Sequence, residues 1–151
     1  MRTYLVVIDE TPEAEVALRF AARRAAKTGG AVLVLALVRP IEFVAFGGVQ
    51  ATIEEEAREH AELLVQQAAG TIVEEAGFRP SIRVETGDPV TLIREVLNDT
   101  PDIGALVLGA AASGGPGPLV SHFAGAEAGS LPCPVMIVPG SIDREALDRL
   151  S

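Results

Sequence analysis

The residues with chemical potential gather at two places. Asp9 closes an apolar run, Leu5 to Ile8. A glycine-rich stretch follows Leu108: Gly109, then Ser113, Gly114, Gly115, Pro116, Gly117 and Pro118, then Ser121, His122 and Phe123. Glycines let backbone N–H groups approach an anion, and the start of a following helix adds positive potential. The chemistry suggested is phosphate binding. The same stretch also reads as a ligand-free turn stiffened by its prolines. Ala105 to Pro139 contains no Lys or Arg. An anion there would depend on backbone amides, Ser113, Ser121, a protonated His122 or a Mg²⁺ ion. Asp9 reads equally well as a cap on the helix that follows it.

The remaining candidates read as structural. His60 falls among Glu59 and Glu62 on the polar side of a helix and is expected in solvent. Cys133, between Pro132 and Pro134, reads as a buried, inert thiol. The chain shows no nucleophile–base pair at motif spacing and no metal-ligand cluster, so the expectation is a binding module and not an enzyme.

Composition narrows the classes further. The chain has 151 residues, 48% of them hydrophobic and 22% charged, which fits one folded domain. Twelve basic against twenty-one acidic residues give a net charge of −9. Such a surface repels nucleic acid, whose binding needs basic residues on phosphates. No apolar run is long enough for a membrane helix, and the N-terminus does not read as a signal peptide. With one cysteine there is no internal disulfide. A cytoplasmic setting is expected.

The elements that must position Asp9 and the glycines follow from hydrophobic patterning. Leu5–Ile8, Ala31–Val38, Ala105–Leu108 and Val135–Val138 are continuous apolar runs, as parallel strands covered on both faces require. Ser81–Glu85 alternates and reads as an edge strand. Thr11-Pro12 opens a helix that Gly29-Gly30 ends, with Ala14, Ala17, Leu18, Ala21, Ala22 and Ala25 on one face. Thr52 and Glu55 suggest a capping box for a second helix reaching Ala76. Asp88-Pro89 starts a third, and a weaker fourth spans Leu119 to Ala128, where Gly125 lowers propensity. Ile41 to Gln50 reads as a loop carrying Phe43 and Phe46, and Ile142 to Ser151 as a tail of one helix. The alternation of strand and helix predicts an α/β doubly wound sheet in one domain, 1–140, with a tail over 141–151. Ligands on such a sheet sit at the carboxyl ends of its strands, which singles out the loops after Ile8, Val38 and Leu108.

Several nucleotide-binding patterns are missing. No Gly-Lys pair ends a Walker loop, and Asp9-Glu10-Thr11-Pro12 has no glycine for a dinucleotide turn. A receiver domain would need a Lys where Pro139-Gly140 stands. What remains is an ordered set of segments: Leu5 to Asp9 with Thr11 to Ala22, Val32 to Val38, Gly87-Asp88-Pro89, Asp102 to Gly109, and Pro132 to Pro139. Together they resemble the universal stress protein family over nearly the whole chain.

That resemblance implies a five-stranded parallel sheet in the order 3-2-1-4-5. It also implies a homodimer in which the last strand, Val135 to Val138, pairs across the axis. One branch of the family binds ATP through a loop of the form Gly, two residues, Gly, nine residues, Gly, then Ser or Thr. Here the pattern is degenerate. Taking Gly115 and Gly125 as the later glycines leaves Ala126 in place of the Ser or Thr. Counting back from Cys133 instead puts Ser121-His122 at the Gly-Ser pair, with one residue deleted upstream, and this is the preferred register. The implied site is Asp9, Val38, Leu108, Gly109, Gly114, Gly115, Ser121, His122 and Phe123. Asp9 would meet ribose or adenine, and Val38 would offer backbone groups to adenine. The expected function is a homodimeric regulatory or stress-response module binding ATP, with Mg²⁺, or another adenine nucleotide. The alternative is a nucleotide-free dimeric scaffold that recognises a protein partner, with Phe43 and Phe46 as contacts. A weaker third reading is a nucleotide-using enzyme of a related adenine-binding superfamily.

Overall fold

The computed structural model describes residues 2–39 and 47–151. Strand and helix alternate throughout: β1 Thr3–Ile8, α1 Pro12–Thr28, β2 Ala31–Val38, α2 Gly47–Ala76, β3 Ser81–Thr86, α3 Pro89–Asp99, β4 Ile103–Ala110, α4 Pro118–Phe123, β5 Val135–Pro139 and α5 Arg144–Leu150. The sheet order is β3-β2-β1-β4-β5 and every pairing is parallel. The alternating Ser81 run is an edge strand, as its pattern predicts.

Side-chain alternation along the strands sorts the core into two layers. Tyr4, Val6, Ile8, Val34 and Val107 join Ala17, Leu18, Ala21 and Ala25 of α1 and Val65 and Ile72 of α2. Leu5, Leu35, Leu106 and Leu108 face the other way, onto Ile93 and Leu97 of α3 and Phe123 of α4. The alanine face of α1 lets this helix lie close to the sheet. Its first turn crosses the end of β4 so tightly that a Cβ on Gly109 would sit 2.1 Å from the Glu13 carbonyl oxygen. On Gly140, just past β5, a Cβ would sit 2.8 Å from the Ala110 oxygen and 3.0 Å from Glu13 Cβ.

Helix starts obey local chemistry at α1 and α3. Thr11 caps α1 by accepting from the Ala14 N–H, and Gly29 ends it at φ 68°. Asp88 caps α3 through the Thr91 N–H. Two expectations change. The backbone is helical from Gly47, so Thr52 lies inside α2 and does not cap it; the last part of the expected loop, 47–50, is helix. Phe43 and Phe46 lie outside the described residues. The fourth helix stops at Phe123 and gives way to a turn, with a short 3₁₀ segment at Ala128–Ser130. Gly125 marks the break: its N–H donates to His122 O at 3.3 Å, and a Cβ there would sit 2.6 Å from Ser121 O.

The tail forms α5, docked on α1 with Leu147 buried. Lys27 Nζ donates to Asp148 O and Ser151 O. Glu75 of α2, mostly buried, receives Arg19, Arg23 and Arg144 from α1 and the start of α5. Burial pushes its carboxyl up, but the Arg23 hydrogen bond and the charges of Arg23, Arg19 and Arg144 outweigh this and hold it below the usual glutamate range. Among the described residues no helix is long and apolar enough to cross a membrane.

Candidate functional site

A β-strand order that reverses leaves a crevice where neighbouring crossovers diverge. Here β1 leads to α1 on one face and β4 to α4 on the other, so the crevice lies between the loops that follow Ile8 and Ala110. A cavity of about 200 Å³ occupies it. Its floor is Val7, Ile8, Leu37 and Leu108 from the strands. One wall is Asp9, Thr11, Glu13 and Ala14 at the start of α1; the other is Pro116 to Val120, leading into α4. Arg39 and Pro89 close the side toward β2 and α3, and Gly109 sits between the walls.

Asp9 is not itself the cap of α1: Thr11 is, and Asp9 supports it from two residues upstream. Asp9 Oδ1 accepts the Thr11 N–H at 2.8 Å and the Thr11 hydroxyl. Thr11 Oγ1 in turn accepts from Ala14 N at 3.3 Å. This relay holds the first turn of α1, while the carboxylate remains exposed on the cavity wall. Glu13 is anchored by the same seam, because its backbone and Cβ pack against Gly109 and Gly140.

The glycine loop divides into two limbs. Gly114, Gly115 and Gly117 have φ of 78°, 92° and 99°, which explains why glycine stands there. The Ala111 N–H reaches Pro116 O at 3.3 Å and closes the loop. Gly114 and Gly115 are exposed, with nothing within 4 Å of an added Cβ. Only the descending limb from Pro116 lines the cavity.

Asp9, Leu108 and Gly109 therefore converge on one crevice, and the other residues expected at the site lie elsewhere. Val38 points into the α1–α2 layer; its carbonyl accepts the Gly87 N–H at 3.0 Å, and its neighbours Leu37 and Arg39 line the cavity instead. Phe123 is fully buried in the opposite core layer. Ser121 is exposed outside the cavity lining. His122 packs edge-on against the Phe123 ring at 5.0 Å, with Nε2 3.7 Å from a Glu127 oxygen that also receives Arg94. Gly114 and Gly115 stand off in solvent.

Arg39 is the functional candidate that motif reading missed. Its signal was its place at the carboxyl end of β2, in a loop the topology rule had already selected. It supplies positive charge to a crevice whose loop has none. Its guanidinium also helps hold the Asp88 carboxyl below the ordinary aspartate range, after the larger effect of hydrogen bonds from Thr91. His60 is exposed and meets Glu10 of the β1–α1 loop. Cys133 is half-buried, and burial pushes its thiol up. Among the described residues no group of three or more His, Cys, Asp or Glu is placed to hold a metal ion.

Comparison with known proteins agrees with the fold. Residues 1–139 match the model of the universal stress protein family. No curated protein matches the chain. Among solved structures it is similar to universal stress protein UspA from Lactobacillus plantarum, with TM-score 0.76 and 18% identity over 91% of this chain and 97% of that one. It is similar to the Archaeoglobus fulgidus universal stress protein in complex with dAMP, with TM-score 0.65 and 19% identity over 91% of this chain and 98% of that one. It is also similar to an Arabidopsis thaliana family member with AMP bound, with TM-score 0.54 and 16% identity over 92% of each chain. By fold, strand order and a family match spanning all five strands, this chain belongs to the universal stress protein family.

Proposed function

We propose that the chain is a non-enzymatic regulatory module of the cytoplasm that binds an adenine nucleotide in the β1/β4 crevice. The observation that carries this reading is the convergence of Asp9, Arg39, Gly109 and the limb Pro116–Val120 on one cavity. The residues present suit the parts of such a ligand. Leu37, Leu108, Leu119 and Val120 offer apolar surface to a base. Asp9 offers a carboxylate to ribose hydroxyls, and Arg39 with the backbone amides of the limb offers donors to phosphate. The dAMP and AMP complexes of similar structures, and one with cAMP, support the ligand class. The absence of a nucleophile–base pair in the sequence supports a binding role, with any ATP turnover slow and incidental.

A homodimer through β5 is part of this reading. β5 is the second sheet edge, and its Ile137 is 42% exposed beside Phe20, Met136, Ile142 and Leu150. An unpaired apolar edge favours a strand partner. Light scattering at micromolar concentration should give twice the chain mass; a monomer counts against edge pairing.

Calorimetry with AMP and with ATP, with and without Mg²⁺, tests the nucleotide. Anion-exchange analysis of the supernatant from denatured protein tests for a carried ligand. No heat and no carried nucleotide would reject the nucleotide reading. The scaffold reading, a dimer that recognises a protein partner, would then take its place; the placement of Ser121 and His122 outside the cavity favours it.

A further inference from the structure

We infer that α5 is a dimer element: with β5 and Phe20 it builds an apolar groove on which a second copy of this chain seats its corresponding face. This rests on the homodimer reading above and adds to it a surface beyond the strand edge. α5 begins at Arg144, after the residues 1–139 that the family model matches, so this surface lies outside that match.

The two sheet edges differ. β3 guards its edge with charge, Arg83 meeting Glu85 at 2.9 Å. β5, Val135–Pro139, carries no charged residue. A groove of about 310 Å³ adjoins it, lined by Phe20 of α1, Met136 and Ile137 of β5, and Ile142 and Leu150 of the tail. Among the described residues the exposed large apolar side chains are Leu63 and Val73 of α2, Ile82 of β3, Ile137 and Leu150. The last two meet at this one groove.

α5 is held in place for this. A seven-residue helix is too short to stand alone. Asp143 caps it through the Ala146 N–H at 2.8 Å, Leu147 is buried, and Arg144 meets Glu75 at 2.9 Å. Lys27 Nζ fastens the far end, on Asp148 O at 2.8 Å and Ser151 O at 3.1 Å. These contacts leave Leu150 fixed on the groove wall and 52% exposed.

Area and charge point to a second copy as the occupant. The edge of a five-residue strand is a strip about 17 Å long and about 10 Å deep, far short of the roughly 800 Å² that each partner buries in a stable interface. Pairing at β5 therefore needs neighbouring surface. Two β5 strands related by a two-fold run antiparallel, with the axis normal to the sheet. The second copy's α1 layer then lies on the same face as this one, beside the groove. A two-fold also sets like against like, so on a chain of net charge −9 an acidic surface would repel its own copy. The groove lining carries no charged side chain.

Sedimentation equilibrium on the full chain, over a dilution series, tests this. Leu150→Glu should raise the dimer dissociation constant at least about tenfold with an unchanged circular dichroism spectrum. Leu63→Glu, which adds the same charge at an exposed position of α2, should change it by less than about threefold. A Leu150→Glu constant within about threefold of wild type overturns the inference and leaves β5 pairing intact. Equal weakening by both variants overturns it too, since net charge alone would then be responsible. If the wild-type chain is monomeric throughout the series, the homodimer reading itself has failed, and this inference falls with it.

Discussion

Two sets of glycines at this end of the sheet do opposite jobs. Gly109 and Gly140 are glycine because of what surrounds them: a Cβ would meet backbone of α1 or β4 at 2.1 Å and 2.8 Å. Gly114, Gly115 and Gly117 are glycine because of their own backbone, which is left-handed in open space. The first set forms a seam that seats α1 on the sheet. The second shapes a loop whose near limb lines the crevice. A glycine motif read from sequence merges the two, yet only the second set is free to respond to a ligand. Gly109 lines the cavity, but its first duty is to let Glu13 and Ala14 pass.

Substitution separates the two sets. Gly109→Ala should cause the largest loss, at least about 3 kcal/mol by urea unfolding, because the obstructing atoms are backbone and cannot rotate away. A cost below about 1 kcal/mol would show that the seam can relax and that the two sets are alike. Gly117→Ala should come next. Its φ of 99° and ψ of 160° belong to a region open essentially to glycine alone, and such strain costs about 1–3 kcal/mol. Because Gly117 also lines the crevice, AMP affinity should fall with it.

Arg39→Gln probes the crevice from outside both sets. It should weaken AMP about tenfold while leaving the unfolding midpoint in place, since the side chain is exposed. An equal loss for adenosine would place Arg39 at the base and not at the phosphate. Gly114→Ala should cost only about 1 kcal/mol, the local penalty of a left-handed backbone, with AMP affinity unchanged. Gly114→Asn should cost less still.

A separate effect lies far from the crevice, at the carboxylate that ties α1, α2 and α5 together. Glu75 is held below its ordinary range in the folded chain. Its contribution is present above the unfolded glutamate value and is lost as pH falls through the folded one. Glu75→Gln should therefore flatten the acid limb of the stability curve and change neither glycine set. An acid limb identical to wild type would remove Glu75 from the account.

Much of this was legible beforehand. Thr11-Pro12 and Asp88-Pro89 announce their helices because capping is local chemistry. The alanine stripe of α1 and the alternating edge strand β3 could be read from periodicity alone. Thr52 misled for the complementary reason: a capping pair is only a local preference, and here the helix continues upstream to Gly47. His122 and Phe123 were placed at the site by counting along a degenerate motif. Counting does not show which way a short helix turns its side chains, and α4 turns Phe123 into the core.

Local preference and hydrophobic period, both short-range properties, were enough to determine the alternating strands and helices, the parallel sheet and the loops where a ligand could sit. The wall each loop residue faces was decided only in three dimensions. Arg39, Glu13 and Gly109 are far apart in the chain and meet because the reversed strand order brings three crossovers to one end of the sheet. No local signal encodes a meeting made by packing at that distance.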